Sequence, residues 1–340
     1  MPGNRPPAAA IFGCAGLSLT EDEKRFFAAT DPYGFILFAR NIDSPEQVRR
    51  LIDELRATVG RYAPVLIDQE GGRVQRLNPP YWRARPPMAR FGALAARDLP
   101  LARRAAQLNA QLIADELGDL GIDVDCAPVL DVPVAGADAI IGDRAFGDEP
   151  MLAADLGRAV IEGLLDGGVM PVVKHIPGHG RATLDSHKAL PRVDRDRASL
   201  QQTDFLPFRA LRDAPWAMTA HVVYSAYDDR RPATLSPVVI EEVVRGFIGC
   251  DGVLLTDDLS MKALSGSFAE RAKLALEAGC DLVLHCNGVM EEMLQVAEGV
   301  RPLDETAEWR LARADVRKRW LRPPPGAQEL LDRWLQEPAP

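Results

Sequence analysis

No run in the 340-residue chain approaches the ~18 consecutive apolar residues of a membrane span. No Lys/Arg stripe with interleaved aromatics occurs, and the formal net charge is −9. Both facts argue against nucleic acid or an anionic membrane as the main partner. No Gly-x-Gly-x-x-Gly follows the first apolar run, and no Gly-x-x-x-x-Gly-Lys-Ser/Thr occurs, so the familiar nucleotide phosphate cradles are missing. The cysteines (Cys14, Cys126, Cys250, Cys280 and Cys286) are odd in number and widely spaced. They lack the paired spacing of zinc sites and read as small buried residues in a reducing compartment. Arg5 and residues 8–14 have the outline of a lipoprotein signal ending at Cys14. That apolar stretch is short, follows prolines and continues as strand-like sequence, so a cytoplasmic protein is expected.

What the chain does contain is an alternation. Short apolar runs at 11–15, 34–39, 64–68, 122–129, 169–175, 217–222, 252–257 and 282–286 read as eight strands. The 3.6-residue period returns between them. Thr20-Glu21-Asp22-Glu23 and Ser44-Pro45-Glu46-Gln47 read as capping boxes opening helices. Ala105, Leu108, Leu112, Ile113 and Leu117 form an apolar stripe ahead of Gly118. Further helices fit 151–165, 200–211, 236–247, 268–278 and 289–300. Strict alternation means parallel strands with right-handed crossovers, and eight units in about 300 residues fit a closed (β/α)8 TIM barrel. One domain over 1–340 is expected: a barrel at about 10–300, then a helical stretch near 306–320 and a loosely held tail within 301–340.

In such a barrel the chemistry belongs at the carboxyl ends of the strands. Arg40, Asp68, Asp131, Lys174, His175, His221, Asp257 and Asn287 stand there, and are expected to line one pocket. The fifth strand runs through Lys174-His175 into Ile176-Pro177-Gly178-His179-Gly180, a strand opening into a loop. That loop delivers Asp185-Ser186-His187, and in extended chain the i, i+2 spacing lets Asp185 orient His187. In 252–257, strand parity groups Val253, Leu255 and Asp257 on one face, so Asp257 tops the barrel interior, while Asp258 caps or braces backbone. Asp68-Gln69-Glu70-Gly71-Gly72-Arg73-Val74-Gln75-Arg76 groups acid, amide and guanidinium around two glycines, suited either to hydroxyl recognition or to a salt-bridged turn. Arg144 either reaches a ligand or pairs with Asp143 or Asp148.

These parts admit three chemistries. Asp257 as nucleophile with His187 as acid/base suits glycosyl transfer. A desolvated Lys174 suits a Schiff-base aldolase. His175, His179, His187 and Asp257 as metal ligands would suit hydrolysis, but no His-x-His pair marks the first strand.

Ile67 to Arg76, Gly142-Asp143-Arg144-Ala145-Phe146-Gly147, Lys174 to Gly180, Asp185-Ser186-His187 and Thr256-Asp257-Asp258-Leu259-Ser260-Met261 together resemble glycoside hydrolase family 3, in particular the bacterial β-N-acetylhexosaminidases of peptidoglycan recycling. The motifs stand in the family's order across about 10–300. The resemblance implies a (β/α)8 barrel and a cofactor-free, metal-free retaining exo-β-N-acetylglucosaminidase. Asp257 matches the nucleophile, His187 the acid/base on a mobile loop, and Asp185 its support. Asp68, Arg76, Arg144, Lys174 and His175 match positions that hold the non-reducing N-acetylglucosamine. The implied substrates are muropeptides and other GlcNAc-containing saccharides, and a monomer is expected. A phosphorylase using the same site is the nearest alternative.

Overall fold

In the computed structural model, which describes residues 5–336, eight parallel strands close into a barrel. They are β1 (Ala8–Gly13), β2 (Pro32–Leu37), β3 (Val65–Ile67), β4 (Val124–Asp125), β5 (Met170–Ile176), β6 (Trp216–Thr219), β7 (Val253–Asp258) and β8 (Leu282–His285). Each pairs with its sequence neighbours, and β1 closes on β8 through Ala10↔Val283 and Ile11↔Leu284. The segment resembling a lipoprotein signal is thus barrel strand, with Cys14 buried. All eight expected strands exist. The fourth is the most shortened, because Pro128 has no N–H for the ladder. Its chain still follows β5, with Leu130 N–H bound to the Lys174 carbonyl at 2.7 Å.

Local signals place the surrounding helices. Thr20 and Glu23 form a reciprocal capping box ahead of Glu21–Thr30. At Pro45–Val59 only half of the expected box forms. Ser44 accepts from the Gln47 N–H, but the Gln47 side chain accepts from Asp43 N–H at 2.9 Å. The helix expected to stop before Gly118 runs over Leu99–Leu120 and ends at Gly121, whose φ of 85° is the left-handed cap that glycine accepts. The expected 200–211 helix is two short ones, Arg197–Gln202 and Leu206–Ala210. Val239–Phe247 is π-helical. A further helix, Met88–Ala95, was not anticipated.

The tail departs most from expectation. After Glu305–Asp315, residues Ala327–Leu335 form a docked helix rather than a loose end. Ala327 and Leu331, one turn apart, are buried, and Leu330, Trp334 and Leu335 pack partly against the core. The Arg85 guanidinium donates to Gln328 Oε1 at 2.9 Å, and Arg90 donates to the Leu335 carbonyl at 2.7 Å.

Candidate active site

A pocket opens at the carboxyl ends of the strands. Asp68, Glu70, Arg73, Arg76, Arg144, Lys174, His175, His179, Ser186, His187 and Asp257 line it, with Ile36, Met218, Met261 and Leu284 among the apolar contacts. Seven of the eight residues singled out as catalytic or sugar-binding therefore meet here; Asp185 stands behind His187. Of the other strand-end polar residues, Arg40, Asp131, His221 and Asn287 do not line the pocket.

Three of those four have plain structural duties. Arg40 donates to the carbonyls of Cys14 and Cys286, tying the ends of β1, β2 and β8. Asn287 binds Glu292. His221, fully buried, bridges Thr234 Oγ1 at 2.7 Å and the Asp258 carbonyl at 3.0 Å. Burial pulls its pKa down, so it sits as a neutral strut beneath β7. Asp131 is a hub: one carboxylate oxygen accepts from His175 Nδ1 at 2.6 Å, the other from the backbone N–H of His179 at 2.6 Å. Because a carboxylate can only accept, His175 presents Nδ1–H to it and keeps Nε2 free.

The floor is a charge network. Lys174 Nζ lies 2.8 Å from Asp68 and 2.7 Å from Glu70. Arg76 holds the other Asp68 oxygen at 3.0 Å. Arg144 grips Glu70 with two bonds of 2.8 Å, the planar fork that suits guanidinium. Of the two expectations for Arg144, the surface pairing fails, since Arg144 pairs with Glu70 and lines the pocket while Asp143 pairs with Arg73 at 2.8 Å. Burial would neutralise these groups, but their mutual attraction wins: Asp68 and Glu70 are held below the usual carboxylate range and Lys174 above the usual amine range. Schiff-base chemistry needs a neutral amine, so the aldolase reading of Lys174 fails on these contacts.

Beneath the network Asp125 is buried with Oδ2 unpartnered, and burial pushes its carboxyl up to about 7. Its other oxygen accepts from Gln69 N–H at 2.9 Å. Gln69 Oε1 in turn accepts from the N–H groups of Arg76 and Leu77. The Gly71-Gly72 turn packs on Pro86 and Pro87, where a Cβ on Gly71 would come within 2.4 Å of the Pro86 carbonyl.

Asp257 differs from the other pocket carboxylates. Among the described residues it makes no ion pair, and its one hydrogen bond is from the Asp258 N–H at 2.8 Å. Burial would protonate it, yet the His175 and Lys174 charges and the Asp258 N–H hold its pKa down. It is therefore an ionised carboxylate with an unoccupied face. Asp258, one residue on, accepts from the backbones of Ser260 and Cys286 and from the Ser260 hydroxyl. It braces loops, as strand parity anticipated.

His187 lies on the loop after β5. Its Nδ1 is 2.8 Å from Asp185 Oδ1, which also accepts the His187 N–H at 2.9 Å. The pairing is as expected, but its cause is a turn, not an extended chain: Lys188 and Ala189 N–H both return to the Asp185 carbonyl. The His187 side chain is 62% exposed. The histidines once considered for metal binding go to separate partners, Asp131, Ser186 and Asp185.

Glu70 and Asp131 were absent from the expected sugar-binding and catalytic set. A buried Lys174 beside a buried Arg144 needs a second carboxylate, and that signal pointed to Glu70. Nothing in the spacing of Asp131 revealed its two histidine partners.

A (β/α)8 barrel whose rim sets one free carboxylate among groups suited to hydroxyls, with an oriented imidazole on the loop above, has the parts of a sugar-processing barrel enzyme. Residues 17–317 match the family described as glycosyl hydrolase family 3 N terminal domain, and the chain belongs to glycoside hydrolase family 3. A β-hexosaminidase from Alkalilimnicola ehrlichii is 43% identical over 286 residues, covering 82% of this chain and 80% of the relative. One from Chromobacterium violaceum is 40% identical over 288 residues, covering 84% and 80%. The crystal structure of NagZ from Neisseria gonorrhoeae in complex with N-trifluoroacetyl-D-glucosamine superposes with a TM-score of 0.86 at 32% identity, covering 97% of this chain and 98% of that one. The protein is a glycoside hydrolase of the β-N-acetylhexosaminidase kind.

Proposed function

We propose that the enzyme is a retaining exo-β-N-acetylglucosaminidase. It removes terminal β-linked N-acetylglucosamine from cytoplasmic peptidoglycan fragments, GlcNAc-1,6-anhydro-MurNAc and its peptides, during cell-wall recycling. The observation that carries this reading is the contrast among the pocket carboxylates: Asp68 and Glu70 are saturated by cations, while Asp257 is ionised and unpaired. Asp257 attacks the anomeric carbon as the glycosidic bond breaks, and His187 delivers a proton to the departing oxygen. The neutral imidazole then takes a proton from water as that water displaces Asp257, restoring both groups. Asp185 keeps the Nδ1 proton in place so that Nε2 does the transfer. Asp68, Arg76, Arg144, Lys174 and His175 hold the sugar. The relatives' names and the bound glucosamine derivative of the Neisseria enzyme support the choice of sugar.

A phosphorylase is the second reading, favoured by the imidazole acid, which repels an incoming phosphate less than a carboxylate would. The test is turnover of an aryl β-N-acetylglucosaminide by the wild type and by Asp257→Ala, with and without phosphate, following the product's anomeric configuration by NMR. A β product, lost in the variant and indifferent to phosphate, is expected. A phosphate-dependent sugar 1-phosphate would install the phosphorylase instead. Full activity without the Asp257 carboxylate would remove the nucleophile assignment.

A further inference from the structure

The loop after β5 has two halves held in different ways. Residues 177–182 are buried apart from a half-buried Arg181 and pinned at several points. His179 N–H donates to Asp131, Tyr224 OH donates to the Gly178 carbonyl at 2.6 Å, and the carbonyls of Gly180 and Ala182 accept from Val134 and Asp138 N–H. Gly180 lies so close to Val132 that a Cβ would come within 2.0 Å of its carbonyl oxygen. At Pro191 the chain is fixed again, its carbonyl accepting from Val223 N–H at 3.0 Å.

Residues 183–190, between these anchors, are exposed apart from a half-buried Asp185 and a fully buried Ser186. Among the described residues, every hydrogen bond joining this segment to the rest of the protein runs through Ser186. Its hydroxyl meets His179 Nε2 at 3.3 Å, and its carbonyl accepts from Ala263 N–H at 3.2 Å. Ser186 sits between the two members of the Asp185–His187 pair. A buried hydroxyl in an otherwise solvated run needs such partners, or its desolvation goes uncompensated.

We propose that Ser186 is a positioning residue for proton transfer: its hydroxyl, seated on His179, fixes where the Asp185–His187 pair stands over the pocket. The seat is rigid because His179 hangs by its backbone from Asp131, which also holds His175 on the pocket wall. Burial, then the neighbouring His175, brings the pKa of His179 down to about 4. The contact is therefore between a neutral ring and a hydroxyl throughout the neutral pH range. This inference rests on His187 being the acid/base.

The experiment compares Ser186→Ala, Ser186→Thr and His187→Ala on aryl β-N-acetylglucosaminides with activated and with poor leaving groups. Here kcat/KM reports steps up to glycosidic cleavage. Loss of one hydrogen bond that orients an acid is expected to lower kcat/KM about tenfold on the poor leaving group. The activated substrate should stay within about twofold, since an activated aryl group departs without proton assistance. Ser186→Thr, which keeps the hydroxyl, should recover most of the loss. Equal loss on both substrates, no loss on either, or no recovery with threonine would overturn the role. If His187→Ala itself shows no leaving-group dependence, the acid assignment falls and this inference with it. A steep dependence for His187→Ala alone removes only the inference.

Discussion

The network under the pocket and the loop above it line one cavity by opposite means. Below, Lys174, Glu70 and Arg144 are buried and Asp68 is half-buried, and every charge has an opposite charge within 3.0 Å. Above, His187 is mostly in water, on a segment that, among the described residues, is hydrogen-bonded to the barrel through one residue. Recognition of a sugar needs donors and acceptors already aimed, because reorganising them would consume binding energy. In the proposed mechanism proton transfer happens twice in opposite directions, around departure of one molecule and arrival of another, which suits a group on a less constrained segment.

This comparison predicts separable losses. The largest concerns Lys174→Met, which keeps the side chain's length but leaves Asp68 and Glu70 short of a cation. A cost of roughly 3–5 kcal/mol in chemical denaturation is expected, together with weakened substrate binding. A loss under about 1 kcal/mol would mean that the network is hydrated in solution and that its rigidity is overstated.

The next effect is on pH. The folded protein keeps His179 neutral down to about 4, whereas an unfolded imidazole takes up its proton near ~6.5. Between those values unfolding draws in a proton, so this contribution is complete above ~6.5 and is lost as the pH falls toward 4. It should remove about 2 kcal/mol between pH 7 and pH 5. His221 adds in the same direction. Urea unfolding of the wild type against His179→Gln isolates the effect, and parallel pH slopes for the two proteins would refute it.

The smallest effect tests the upper region. Asp185→Ala is expected to leave stability within about 0.5 kcal/mol, yet to slow glycosylation of poor leaving groups about tenfold. Equal slowing with an activated leaving group would show that Asp185 shapes the pocket rather than serving His187.

The barrel was legible because its signals are local. Apolar runs mark the strands, and caps such as Thr20/Glu23 mark helix starts within four residues. The position of Asp257 followed from parity along one strand. What escaped depends on partners far apart in sequence. Arg144 and Glu70 are 74 residues apart, and no spacing rule favours Glu70 over the adjacent Asp143. His221 stands at a strand end like Lys174, but it faces Thr234 and the Asp258 carbonyl, 13 and 37 residues away. Met88–Ala95 starts without a side-chain cap, so its onset carries no mark. In 327–335 the apolar positions follow a helical period, but Pro323-Pro324-Pro325-Gly326 reads as an ending.

That last helix has a consequence for anyone who trims or extends the protein. Gln328 receives the Arg85 guanidinium, the Arg85 carbonyl receives the N–H of Gly72, and Gly72 is two residues from Glu70. The C-terminal helix is thus a splint on the outer side of the very turn whose inner side presents Asp68 and Glu70. A fusion joined beyond 336 leaves the splint in place. A chain cut at the prolines removes it, and the pocket-facing turn would then keep its sequence but lose its outer wall.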